Sequence, residues 1–205
     1  MESPIILNED EKDCLQELIN IAYGSATAAI TEILNARATL SIPQIQIINA
    51  SDLKSYLSHQ IEVDTSHFVA TQQINGIISG ENLFVIDKES AKNIARKFDL
   101  EEEEITENEL SDIILEITNI LSSSTVSKLA QEMNARISFS PPDINILHSI
   151  NDLDNKFIKN YAKVIVISTE LNFSDLNIKG ELLILTTDNS IIYIKKMLNK
   201  ILDEF

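Results

Sequence analysis

The stretch NARATLSIPQI, residues 35–45, returns as NARISFSPPDI, residues 134–144. The sequence around it is not low in complexity, so an internal repeat must be settled before any element is assigned. At a constant spacing of 99 positions, Asn35, Ala36, Arg37, Ser41, Pro43, Ile45 and Ile47 correspond to Asn134, Ala135, Arg136, Ser140, Pro142, Ile144 and Ile146. Each copy reads as the end of a helix followed by a strand with proline at its start or edge, since proline offers no N–H to a ladder.

Upstream of each copy lies a long helical pattern. Asn8 can cap the first, with Glu9, Asp10 and Glu11 in the turn where the helix dipole favours negative charge. Leu15, Leu18, Ile19, Ala22, Ala26, Ile30 and Ile33 then recur at helical spacing. The second pattern starts near Thr106, with Glu109 placed for a capping box. Downstream of the first copy, SDLKSYL reads as a short helix. IEVDTSHFVATQQINGIISGENLFVI reads as two strands turning at Asn75-Gly76, and DKESAKNIARKF as an amphipathic helix. The acidic run Glu101–Glu104 reads as a spacer. After the second copy and an irregular stretch, AKVIVIST and NIKGELLILTT are strands and NSIIYIKKMLNKIL a closing helix, with Gly80-Glu81 and Gly180-Glu181 in matching places. The expectation is an α/β (α+β) fold: one domain over 1–205, built from two fused repeats of about 8–100 and 105–205 with pseudo-two-fold symmetry, a mostly antiparallel sheet flanked by helices.

Composition narrows the function. A chain of 205 residues, 44% hydrophobic and 23% charged, can bury a core. Its net charge of −16 disfavours nucleic acid and anionic lipid, which repel an acidic surface. No secretory signal or membrane-spanning run is present in the sequence, and a lone Cys14 rules out an internal disulfide, so a cytoplasmic setting and no membrane insertion are expected. Cys14 has no basic neighbour in sequence to activate it. His59, His67 and His148 lack ligand spacing, and the Ser122–Ser124 run lacks an adjacent base. With only four glycines there is no phosphate-cradling loop.

The same spacing also repeats polar residues, which a core does not require. Asp13, Glu17 and Asn20 correspond to Asp112, Glu116 and Asn119. Positions i, i+4 and i+7 fall within roughly 60° of arc on a helix. Leu15 and Ala22, like Ile114 and Leu121, lie on the far side. A single such stripe is ordinarily a solvated face; two in register call for another explanation.

The pattern D-x3-E-x2-N-x22-P, present as Asp13, Glu17, Asn20, Pro43 and as Asp112, Glu116, Asn119, Pro142, resembles the CheC/CheX/FliY family of chemotaxis phosphatases. Two copies in a sequence that ends at Phe205 resemble the CheC branch; CheX-type members keep one working copy, and FliY-type members append a flagellar-switch domain. The resemblance implies a CheC-like fold with two long site-bearing helices and hydrolysis of the aspartyl phosphate of a CheY-like receiver. It implies that Asn20 and Asn119 hold the attacking water, and that Glu17 and Glu116 engage the receiver's active-site lysine. Asp13 and Asp112 tune or dock, and Pro43 and Pro142 shape the strand beneath. No cofactor of the chain's own is implied, since Mg2+ belongs to the receiver. Where the family often carries glycine before the asparagine, this sequence has Ile19 and Thr118, whose bulk is expected to alter a partner's approach. Two alternatives stand beside the phosphatase: a non-catalytic adaptor that binds the deamidase CheD or a receiver, and a flagellar-switch component. A monomer is the default expectation.

Overall fold

The computed structural model describes residues 6–35, 37–60, 66–98, 100, 103, 105–148, 162–173 and 178–204. In chain order the elements are α1 (Glu9–Leu34), β1 (Ala38–Leu40), β2 (Gln44–Asn49), α2 (Leu53–Gln60), β3 (His67–Gly76), β4 (Gly80–Asp87), α3 (Lys88–Ala95), α4 (Glu107–Glu132), β5 (Ile137–Phe139), β6 (Asp143–Leu147), β7 (Lys163–Phe173), β8 (Ile178–Thr186) and α5 (Asp188–Leu202). The order from α1 thus recurs from α4: a 26-residue helix, two short strands, a long hairpin and a closing helix. The acidic residues Glu101, Glu102 and Glu104, the start of the first hairpin segment at 61–65 and the irregular stretch at 149–161 lie outside the described residues.

All strands join one antiparallel sheet, ordered β1-β7-β8-β4-β3-β5, with β2 also on β7 and β6 also on β3. The pairing is reciprocal. β1 and β2, from the first half of the chain, line the edge of β7 in the second; β5 and β6, from the second half, line the edge of β3 in the first. Pro43 and Pro142 fall in the gaps between the short strands, where a missing N–H leaves no ladder bond broken.

Each gap is closed by the repeated serine. Ser140 N–H donates to the Gln73 carbonyl and its Oγ accepts from Gln73 N–H, both at 3.1 Å. Ser41 N–H likewise donates to the Glu170 carbonyl at 3.0 Å, and its Oγ accepts from Glu170 N–H at 2.9 Å. A serine in each copy therefore stitches its half to the backbone of the other.

The long helices pack against each other and onto one face of the sheet. Leu15, Ile19, Ala22, Ala26 and Ile30 of α1 and Ile114, Ile117 and Leu121 of α4 are wholly buried there. Burial of each large aliphatic chain contributes about 1.5–3 kcal/mol. A smaller cluster on the opposite face holds Leu53 and Leu57 of α2 over Val85, Leu183 and Leu185.

Helix termini follow from their sequence. Asn8 accepts from Glu11 N–H, and Glu11 accepts in return from Asn8 N–H, each at 2.8 Å. The reciprocal box thus belongs to α1. At α4, Thr106 accepts from Glu109 N–H at 3.4 Å. Burial would raise the Glu11 carboxyl, but bonds from Asn8 N–H, Asn199 and Lys195 hold it below its ordinary range. The asparagine that opens each NAR is the helix stop: Asn35 and Asn134 take left-handed φ of 44° and 50°. At α4 the stop is a Schellman motif, with Ala135 N–H reaching Ala130 O at 2.8 Å and Asn134 N–H reaching Gln131 O at 3.1 Å.

The first hairpin turns later than its Asn-Gly pair suggests. β3 runs through Gly76, and Ile77–Ser79 make the turn. Asn75 and Gly76 stay within β3 because they pair with Ser138 and Ile137 of β5. Gly76 has φ of +132°, and a Cβ there would run into the Arg136 carbonyl, so the glycine serves a close strand crossing.

Two predictions follow from the sheet. Ser41→Ala and Ser140→Ala each remove the acceptor of a backbone N–H. Each is expected to cost about 1 kcal/mol, or roughly 2–4 °C in Tm, with additive losses in the double variant. Unchanged thermal unfolding would show that water replaces the stitch. On the smaller-cluster side, burial first and the facing Glu170 second push the Glu181 carboxyl up to about 7, against a 3.3 Å bond from Ser168. The unfolded chain releases this proton near the ordinary value of 4.5, so stability is full below 4.5 and lost as pH rises through about 7. Glu181→Gln should therefore raise Tm progressively more from pH 4.5 to 7 and by a constant amount above. A Tm gain independent of pH would contradict this.

Candidate functional site

α4 is anchored by its apolar face and presents Asp112, Glu116 and Asn119 to solvent. Glu116 and Asn119 lie one turn apart and border an open cleft of about 470 Å³ whose other walls are Gln72, Leu115, Phe139, Ser140, Pro141 and Pro142. The structure thus brings together Glu116, Asn119 and Pro142. Asp112 shares their exposed stripe but does not line the cleft. The floor is held by Gln72 on β3, which is 1% exposed and donates from Nε2 to Asn119 Oδ1 and to Ser140 O, both at 2.9 Å. The cleft therefore takes its helix and short strands from the second half of the chain, and its floor from the first.

At the first copy, Asp13, Glu17 and Asn20 are likewise exposed along α1. The surroundings differ in two ways. Gln16, which corresponds to Leu115, donates from Nε2 to Pro43 O at 3.2 Å and spans helix and strand. Thr169, which occupies on β7 the register of Gln72 on β3, donates from Oγ1 to Ser41 O at 2.8 Å. Pro43 is buried, while Pro142 is half-buried at the cleft wall.

Ile19 and Thr118 are both wholly buried, and Thr118 Oγ1 bonds back to Ile114 O at 2.6 Å. Their bulk points into the core, so it does not meet an approaching partner as the sequence suggested. Cys14 is half-buried and its thiol is raised by burial, the wrong direction for a nucleophile. Gln72 escaped the repeat because its counterpart is threonine. The available signal was a polar residue at an inward place in the alternation Phe68, Ala70, Gln72, Ile74. Among the described residues, no helix is long and apolar enough to cross a membrane.

The α4 face thus carries one carboxylate and one carboxamide at the mouth of a shallow, open cleft. Known proteins similar to this chain include chemotaxis and flagellar-switch phosphatases. A family model described as chemotaxis phosphatase CheX matches residues 68–151. The flagellar motor switch phosphatase FliY of Bacillus subtilis (strain 168) is 22% identical over 175 residues, covering 83% of this chain and 44% of that protein. The CheY-P phosphatase CheC of the same organism is 23% identical over 145 residues, covering 68% of each. This chain thus spans less than half the length of the FliY relative. Among solved structures, FliY of Thermotoga maritima matches with a TM-score of 0.73 at 24% identity, covering 95% of this chain and 98% of that one. The CheX protein in the CheX-CheY-BeF3-Mg+2 complex of Borrelia burgdorferi matches with a TM-score of 0.55 at 15% identity, over 83% and 97% of the two chains. Over part or most of its length the chain is thus similar to chemotaxis and flagellar-switch phosphatases of the CheX, CheC and FliY kinds.

Proposed function

We propose that this chain hydrolyses the aspartyl phosphate of a CheY-like receiver, Asn119 and Asn20 each holding the attacking water and Glu116 and Glu17 engaging the receiver's active-site lysine. The observation that carries the reading is the exposed Glu116–Asn119 pair at the rim of the α4 cleft, repeated in kind by Glu17 and Asn20 on α1. An aspartyl phosphate is already an activated acyl phosphate, and the receiver supplies Mg2+ and a lysine beside the phosphoryl group. What such a centre lacks is an oriented nucleophile. A carboxamide on a buried-faced helix supplies hydrogen bonds to water without competing for phosphorus, and orientation alone contributes several kcal/mol in phosphoryl transfer. Water attacks phosphorus, the bond from phosphorus to the aspartyl oxygen breaks, and inorganic phosphate leaves with the carboxylate restored.

The carboxylates fit docking. Glu116 and Glu17 are one turn before their asparagines on the exposed stripe, so a lysine that pairs with the carboxylate is held one helical turn from the water. Asp112 and Asp13, a further turn back, extend the acidic stripe for contact with the receiver rim. Pro142 and Pro43 fix the strand starts beneath the two stripes. The CheX relative complexed with CheY supports a receiver as partner. CheD remains a partner for a binding assay, and a cytoplasmic setting follows from a receiver substrate.

The test is dephosphorylation of a phosphorylated receiver by the unmodified chain, Asn20→Ala, Asn119→Ala and the double variant, with binding measured separately. The double variant should lose the acceleration while retaining receiver binding. Asn119→Ala should lose at least about tenfold, roughly 1.4 kcal/mol, and more than Asn20→Ala, because at the first copy Gln16 ties the helix to the strand where the second has the open cleft. Equal rates in all four proteins, with binding intact, would convert the stripes into docking faces and leave the adaptor reading in force.

A further inference from the structure

We infer that Gln72 is the positioning residue of the second site: it fixes which end of the Asn119 carboxamide faces the cleft. This rests on the catalytic reading of Asn119. The orientation follows from a group that cannot be reversed. Ser140 O is a backbone carbonyl and only accepts, so the Gln72 atom 2.9 Å from it must be the amide nitrogen. That same nitrogen lies 2.9 Å from the Asn119 side chain, and a nitrogen donor requires an oxygen there. Asn119 therefore turns Oδ1 inward and sends its two Nδ2 hydrogens toward the cleft. Of the two equivalent-looking ends of a carboxamide, the relay from carbonyl to glutamine to asparagine selects one.

The carbonyl at the head of the relay belongs to a residue held at two points. Ser140 is stitched to Gln73 through both its N–H and its Oγ. Gln72 is 1% exposed, and its Oε1 is buried with no hydrogen-bond partner among the described residues. An apolar side chain would suit this inward place better for stability alone, since a buried acceptor left unpaired is a cost. The glutamine makes sense as a support for the exposed asparagine above it. Among the described residues the first copy shows no such support: Thr169 spends its hydroxyl on Ser41 O. The second site thus presents a pre-oriented donor, which holds a water by its oxygen and leaves the lone pair opposite free to approach phosphorus.

The test uses the full chain carrying Asn20→Ala, so that only the second site is read, with a phosphorylated receiver as substrate. Gln72→Met keeps length and apolar bulk but removes the donor. The expected result is a fall in kcat of about tenfold with KM within twofold, whereas Gln72→Met adds no fall to a chain already carrying Asn119→Ala. A fall that adds to that of Asn119→Ala, or a change confined to KM, would overturn the assignment. Were Gln72→Met to fail to fold, side-chain amide exchange in the unmodified chain still decides. The Gln72 carboxamide hydrogens should exchange with water at least tenfold more slowly than those of Asn119; equal rates overturn the relay. The two levels separate cleanly. If Asn119→Ala itself leaves the rate unchanged, the catalytic reading fails and the relay with it; if Asn119→Ala is inactive but Gln72→Met keeps the full kcat, only the relay fails.

Discussion

The structure depends on one constraint: neither half of the chain can complete its own sheet edge. β1 and β2 find their backbone partners on β7, and β5 and β6 find theirs on β3. Each long helix is tied by a short link to strands whose ladder lies in the other half, so both halves must fold together or leave rows of unpaired backbone groups. A buried unpaired backbone group costs about as much as a lost hydrogen bond, and several at once exceed what a half-sized core would offset. Ser41 and Ser140 complete the exchange at the points where Pro43 and Pro142 interrupt it.

The same exchange builds the site. Because β3 of the first half lies beside the short strands of the second, Gln72 sits beneath Asn119 of a helix to which it is remote in sequence. Towards the opposite edge of the sheet, Thr169 reaches Ser41 in the same manner. The two sites are therefore alike in their exposed residues and unlike in their floors. A chain whose order of elements recurs can carry the same exposed stripe in both copies while the buried supports differ, because the supports answer to different strands. Gln16 at one copy and Leu115 at the other extend that divergence to the rim.

Much of the fold was legible because the repeated residues carry backbone duties that few side chains can perform. Asparagine marks a left-handed helix stop, serine brackets a broken ladder, and proline sits where no N–H is needed; these recur at one spacing and can be seen without coordinates. The stripes were legible for a similar reason, since helical spacing alone separates Glu17 and Asn20 from Leu15 and Ala22. Gln72 was not, because its role comes from a strand pairing between distant segments, and its counterpart is a different residue. The turn at Asn75-Gly76 misled for the same cause: local turn chemistry yielded to the pairing of those residues with β5. Ile19 and Thr118 show the converse: their bulk, expected to alter a partner's approach, is wholly buried.

The central claim is that the acidic-amide face of α4 receives the phosphorylated centre of a receiver. The most direct measurement is an NMR footprint of a CheY-like receiver on this chain, with beryllofluoride and Mg2+ on the receiver as the phosphoryl mimic. The account predicts that the largest shifts fall on Glu116, Asn119 and the neighbouring Ser140–Pro142 segment, that they depend on beryllofluoride, and that Glu116→Gln weakens them. Shifts concentrated on α2, or on the α4 face but indifferent to beryllofluoride, would contradict it.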